Sequence, residues 1–182
     1  MASFTNFATL SYNGGTTNSN IVTGEILEAL TAVKTAVSAN YSAGDRITYA
    51  LSLVNTGTAA ITDYTVTDNL GGYTVGANTV YPLAYNAGTV RYYINEVLQA
   101  APTVTAGPPL TVTGLTVPAG GSAVLIYETT ATPFAPLATG SSITNTATIT
   151  GGGLTNPITA QATVETANSA DLTISKALSP TT

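Results

Sequence analysis

Few side chains in this sequence can do chemistry, and the most informative are its two lysines, Lys34 and Lys176. Lys34 alternates with Leu30 and Ala32, and Lys176 with Leu172 and Ile174, so on a strand each amine shares a face with apolar neighbours and points inward. Asn145 stands in the same relation to Ile143, Ala147 and Ile149, and Asn6 to Phe4, Ala8 and Leu10. A buried ammonium is costly unless paired, and burial favours the neutral amine, which is a nucleophile. An inward lysine on a first strand, an inward asparagine on a last strand and a buried carboxyl group to shuttle protons can form an intramolecular amide with loss of ammonia. Glu128, taken in phase with Val124 and Ile126, is the candidate carboxyl group, with Asp68 as the alternative. A salt bridge from Lys34 to one of these carboxylates, or a lysine that snorkels to the domain rim while Asn145 hydrogen-bonds a loop, accounts for the same residues without a covalent bond.

Other chemistry is thin. The chain has no cysteine and no histidine, which removes disulfides, thiol nucleophiles, imidazole bases and most transition-metal sites together. Asp45, Asp63, Asp68 and Asn69 could contribute to a calcium site, but they form no D-x-D-x-D-G run, and aspartate is common in turns for local backbone reasons. Gly151-Gly152-Gly153 precedes no lysine and opens no helix, so it reads as a hairpin turn. Tyr81, Tyr85, Tyr92 and Tyr93 could form a sugar-binding platform, although their setting favours half-buried strand positions. Glu96, Glu128 and the few aspartates show no paired arrangement. The expectation is a non-enzymatic protein with no catalytic site, no cofactor and no metal.

The elements that must position these residues are strands. Charged residues make up 7% of the 182 residues, against about 25% in typical soluble domains, and the surface is left neutral and hydroxyl-rich. With four basic residues and a net charge of −5, nothing favours nucleic acid or an anionic membrane, and no apolar run is long enough for membrane insertion. Met1 to Asn6 shows no signal-peptide character, so a leader removed earlier or another export route is expected. Period-2 stretches at 47–54, 64–67, 90–94, 110–113, 123–127 and 143–149 are separated by Asn, Gly and Pro turn signals, which predicts an all-β, immunoglobulin-like Greek-key β-sandwich. A helix-like window from Ile26 to Val37 is also read as a strand, because its later counterpart, Asp171 to Ser175, is β-branched with no helical stripe.

That counterpart belongs to an internal repeat. Phe4 to Leu10 matches Ile143 to Ile149 at an offset of 139, and Leu30 to Lys34 matches Leu172 to Lys176 at an offset of 142. The expected organisation is an N-terminal strand or hairpin extension over 1–28, a sandwich over 29–167 and a donor-strand-like extension over 168–182. Each extension resembles part of an absent neighbouring repeat, and unpaired strands seek partners.

The segments Lys34 to Ser38, Ala43 to Tyr49, Val54 to Gly57, Val66 to Leu70, Val117 to Gly120 and Thr144 to Thr148 resemble the conserved-repeat domain called domain of unknown function 11. The resemblance runs from about Ala29 to Glu165 and implies a sandwich module of long surface proteins, with relatives on spore appendages and no enzyme activity. One expected function is therefore a homopolymer, a cell-surface or spore-surface filament extended by β-strand donation. The expected donors are Leu172, Ile174, Lys176 and Leu178, with Phe4, Asn6, Ala8 and Leu10 of the N-terminal strand locking the joint. The alternatives are an adhesin or carbohydrate-binding module that meets a surface polysaccharide through the loops between Asn69 and Pro109, and a monomeric spacer domain.

Overall fold

A computed structural model describes residues 2–26 and 29–167, and these residues contain strands, turns and bends with no helix. The N-terminal arm holds β1 (Ala2–Asn6), β2 (Thr9–Tyr12), β3 (Gly15–Asn18) and β4 (Val22–Ile26). The sandwich opens with β5 (Leu30–Ala36), β6 (Asn40–Tyr41), β7 (Arg46–Asn55) and β8 (Ile61–Asp68). A stretch of short strands follows: β9 (Tyr73–Val75), β10 (Asn78–Val80), β11 (Leu83–Tyr85), β12 (Arg91–Ile94), β13 (Val97–Leu98) and β14 (Thr103–Thr105). Four longer strands close it, β15 (Leu110–Val117), β16 (Ser122–Ala131), β17 (Ser142–Gly151) and β18 (Ile158–Thr166).

Two sheets face each other. One has the order β13-β12-β16-β7-β5, with β11 also on β16, and the other has the order β14-β15-β8-β17-β18-β6. The chain changes sheet between β7 and β8, between β15 and β16 and again between β16 and β17, which gives the Greek-key sandwich that the turn spacing predicts. The window from Ile26 to Val37 is a strand over Leu30–Ala36, as its repeat counterpart suggests. Inward residues alternate along the strands, so Ile47, Tyr49, Leu51 and Leu53 of β7 pack with Tyr64 and Val66 of β8, Leu125 and Tyr127 of β16, and Ala147 and Ile149 of β17.

Asn55 ties the loops at one pole. Its amide nitrogen donates to the carbonyls of Ala59 at 2.8 Å and Pro118 at 3.0 Å, and its oxygen accepts from the Gly57 N–H at 2.9 Å. The chain enters the sandwich at this pole, where Ala29 and Leu30 lie beside Gly152 to Ile158, and leaves at the other, where Glu165 pairs with Asn40.

The arm is a hairpin in two pieces. β1 pairs with β4 from Ala2↔Ile26 to Asn6↔Val22, and β2 pairs with β3 from Thr9↔Asn18 to Tyr12↔Gly15. Phe4 to Leu10 matches the continuous strand β17 in sequence but breaks at Phe7 and Ala8. The reason is local: β17 is held on both sides, by β8 and β18, whereas the arm has one partner and the Ser19 hydroxyl takes the Ala8 N–H at 2.9 Å. Asn6 therefore ends β1, Ala8 falls between strands and Leu10 lies on β2, so the expected single face does not form.

Candidate functional site

The site lies inside the sandwich, between the sheets. β5 alternates as the sequence predicts, with Leu30 and Lys34 buried and Thr31, Val33 and Thr35 turned out. The Lys34 side chain has no exposed surface, and it reaches across to the opposite sheet, where its ammonium donates to Asp68 Oδ2.

Asp68 ends β8, where it pairs with Leu110 on one side and Ala147 on the other. It also begins a tight turn whose geometry leaves one oxygen for the lysine. Asp68 Oδ1 accepts from the Leu70 N–H at 2.9 Å, and Asn69 Oδ1 accepts from the Gly71 N–H at 3.0 Å and the Thr146 N–H at 2.9 Å. These Asx bonds hold Leu70 at a φ of 52°, a left-handed conformation that a leucine rarely adopts, while burying its side chain. Asp68 Oδ2 faces the interior, where the Tyr127 hydroxyl also donates to it.

Two tyrosines wall the amine. The rings of Tyr49 and Tyr127 stack with centroids 5.8 Å apart, and Lys34 Nζ lies 4.9 Å from the Tyr49 centroid and 5.8 Å from that of Tyr127. Burial lowers the Lys34 amine from its ordinary 10.5 to about 8, against the opposing pull of the Asp68 charge and hydrogen bond. Burial, and then the Asp68 charge, push both tyrosine hydroxyls well above their usual range, so these rings stay neutral.

Asn145 completes the cluster from β17, two residues from the partner of Asp68 and therefore diagonal to it on the same inner face. It is fully buried, and its carboxamide is close enough to the Tyr49 and Tyr127 hydroxyls to favour their ionised forms slightly. Yet among the described residues neither its oxygen nor its nitrogen has a hydrogen-bond partner, nor does the Tyr49 hydroxyl. Each orphaned polar group of this kind costs about 1–3 kcal/mol. A cost of this kind in a buried interior calls for a specific explanation.

Of the three sequence-predicted residues, the structure brings Lys34 and Asn145 together with Asp68 and separates Glu128 from them. Glu128 lies on the outer face of β16, 3.4 Å from Arg46, with both side chains solvent-accessible. The phase was misread because Ala123-Val124-Leu125-Ile126-Tyr127 is apolar on both faces; the buried set is Ala123, Leu125 and Tyr127. Tyr49 and Tyr127 were not foreseen as part of the site, although Tyr49 alternates with Ile47 and Leu51, a pattern that places it inward.

The remaining candidates disperse. Asp45 accepts from the Ser42 N–H at 2.8 Å, and among the described residues no three acidic side chains gather as a metal site. Tyr92 is buried with its hydroxyl on the Thr116 carbonyl, so it is not on a platform with Tyr81 and Tyr85, which instead line a groove with Leu83, Pro108 and Phe134. Leu172, Ile174, Lys176 and Leu178 lie outside the described residues, as does the rest of the 168–182 extension.

No family model and no curated protein matches the chain, so the motifs shared with domain of unknown function 11 stand as a resemblance. Solved structures do match. The major pilin subunit BcpA of Bacillus cereus aligns at 17% identity with a TM-score of 0.53, over 88% of this chain and 48% of that one. The pilus backbone protein RrgB of Streptococcus pneumoniae aligns at 16% identity and 0.52, over 66% of this chain and 31% of that one. The full-length major pilin SpaD of Corynebacterium diphtheriae aligns at 15% identity and 0.52, over 73% and 33%. The chain thus spans about a third to a half of the length of these pilins. At such identities the likeness shows the fold, an immunoglobulin-like β-sandwich of a kind that also occurs in surface-fibre subunits.

Proposed function

We propose that this chain is a structural subunit that self-assembles head to tail into an extracellular or spore-surface filament by β-strand donation between copies. The observation that carries the reading is the N-terminal arm. Among the described residues its strands pair only with one another, every side chain from Thr5 to Thr23 is exposed, and Phe7, Leu10, Tyr12, Ile21 and Val22 are each more than half exposed. A lone two-stranded ribbon is marginal in water, and an apolar one gains by laying its strands against a neighbour. β5 offers an acceptor, since it is the edge of its sheet and carries the exposed Val33 beside the exposed Val37. Donor and acceptor are different patches on one subunit, so the contact repeats without closing. On this reading the organisation is an arm over 1–28, a sandwich over 29–167 and a C-terminal donor over 168–182, and the pilin-like fold of the sandwich suits a fibre module.

Negative-stain electron microscopy of the full chain beside variants lacking residues 2–26 or 170–182 tests this. Filaments in the full chain that are lost in either deletion support strand donation and say which end donates. Single-domain particles from the full chain at all concentrations overturn it.

A second reading has its own observation. The groove lined by Tyr81, Tyr85, Leu83, Pro108 and Phe134, of about 630 Å³, has the aromatic walls that a surface polysaccharide would stack on. Retention on a polysaccharide array that is lost in Tyr81→Ala and Tyr85→Ala favours this adhesin role, and no retention by the wild type removes it.

A further inference from the structure

The buried amide of Asn145 and the buried amine of Lys34 both neighbour Tyr49 and Tyr127 in one interior chamber, and the Asp68 carboxyl group, diagonal to Asn145, is already bonded to the amine. The chamber is closed by the stacked rings of Tyr49 and Tyr127, and none of Lys34, Asp68 and Asn145 has side-chain atoms that meet bulk water to any useful extent. We propose that Lys34 Nζ and Asn145 Cγ become joined by an intramolecular amide bond, formed by the protein on itself with Asp68 as the proton carrier.

The step balances with the groups present. In a low-dielectric chamber the proton crosses the hydrogen bond from Nζ to Asp68 Oδ2, leaving a neutral amine and a neutral acid. The Nζ lone pair attacks Cγ, and the carbonyl π pair moves onto Oδ1, where a hydrogen bond from the Asp68 acid stabilises it. As that pair returns, the Cγ–Nδ2 bond breaks. Nδ2 leaves as ammonia with the proton from Asp68, and Nζ gives one of its own protons back to Asp68. One C–N bond forms, one C–N bond breaks, nothing is oxidised or reduced, and Asp68 ends as the neutral acid, holding the one proton of the original ammonium that neither the new amide nor ammonia retains. Fixed proximity within a folded core supplies most of the rate, since both partners are held by strands that cannot turn away. The product also removes the fault that points to it: the buried ammonium and the orphaned primary amide are replaced by a single secondary amide.

This inference stands on the chamber alone and does not depend on filament assembly. The test is the intact mass of the folded, full-length protein, followed by tryptic mapping. The expected mass lies one ammonia below that calculated from the sequence. An acylated Lys34 resists trypsin, so the map should hold one branched species joining residues 1–46 to 92–176, and Lys34→Met and Asp68→Asn should each restore the calculated mass. The full calculated mass in folded wild-type protein overturns the proposal, as does an ammonia loss that persists in Lys34→Met, which would place it in a succinimide elsewhere. Because the wild-type mass is decisive by itself, the outcome holds even if a variant folds poorly.

Discussion

The sandwich and the arm are both made of short strands rich in threonine and β-branched residues, yet only one of them has an inside. On β7 and β16 alternate side chains are sealed between two sheets, while in the arm the same alternation leaves Leu10 and Tyr12 in water. The difference is the number of layers. Period-2 patterning specifies which face of a strand is apolar, and only a second sheet turns that face into a core. Among the described residues, no second layer covers the arm.

The contrast predicts where substitutions hurt. The largest effect falls at the chamber: Asp68→Ala leaves a buried ammonium without its partner and should cost about 3–5 kcal/mol in urea unfolding. An unchanged midpoint would mean that Lys34 had found another way to the surface. Leu51→Ala, in the fully buried middle of β7, should cost about 2–5 kcal/mol by the same assay.

A pH effect sharpens the comparison further, and Asn145→Ala makes it visible by keeping Lys34 as a free amine. The folded pKa of Lys34 lies near 8 and its ordinary value is 10.5, so between these values the unfolded chain binds more protons and stability rises with pH. The groups facing the amine are Asp68, Tyr49 and Tyr127, and the raised tyrosines reverse the trend above about pH 10, where unfolded tyrosines ionise first. Denaturation midpoints between pH 8 and pH 10 should climb in this variant. A cross-linked wild type lacks the lysine titration and should stay flat there.

Smaller effects follow at the surface. Arg46→Ala removes a solvent-exposed pair with Glu128 and should change stability by about 0–1 kcal/mol. Leu10→Ser in the arm should leave the sandwich within about 0.5 kcal/mol of the wild type while abolishing filaments in the microscope. A cost like that of Leu51→Ala would show instead that the arm is folded onto the core.

Much of this was legible in the sequence, for definite reasons. Lys34 and Asn145 are read as inward because each interrupts a simple alternation of apolar and hydroxyl residues, and their strands lie where the repeat and the turns indicate. Glu128 was misassigned because β16 is apolar on both faces, so its alternation carries no phase. The better signal was on β8, where Tyr64, Val66 and Asp68 share one face. What no pattern could supply is the diagonal placement of Asp68 against Asn145. That depends on the register between β8 and β17, which is fixed by the Asn69 turn and by side chains far apart in the chain.

The entry of the chain at one pole and its exit at the other has a mechanical meaning. β5 and β18 run in the same direction along one side of the sandwich, so a pull on the two ends drags these strands oppositely along their own length. Such a load is shear: the ladder between β5 and β7 must yield over many hydrogen bonds at once, rather than unzip one at a time from an end. In the proposed filament this path would make each copy a stiff link in series, with Lys34 on the loaded strand β5.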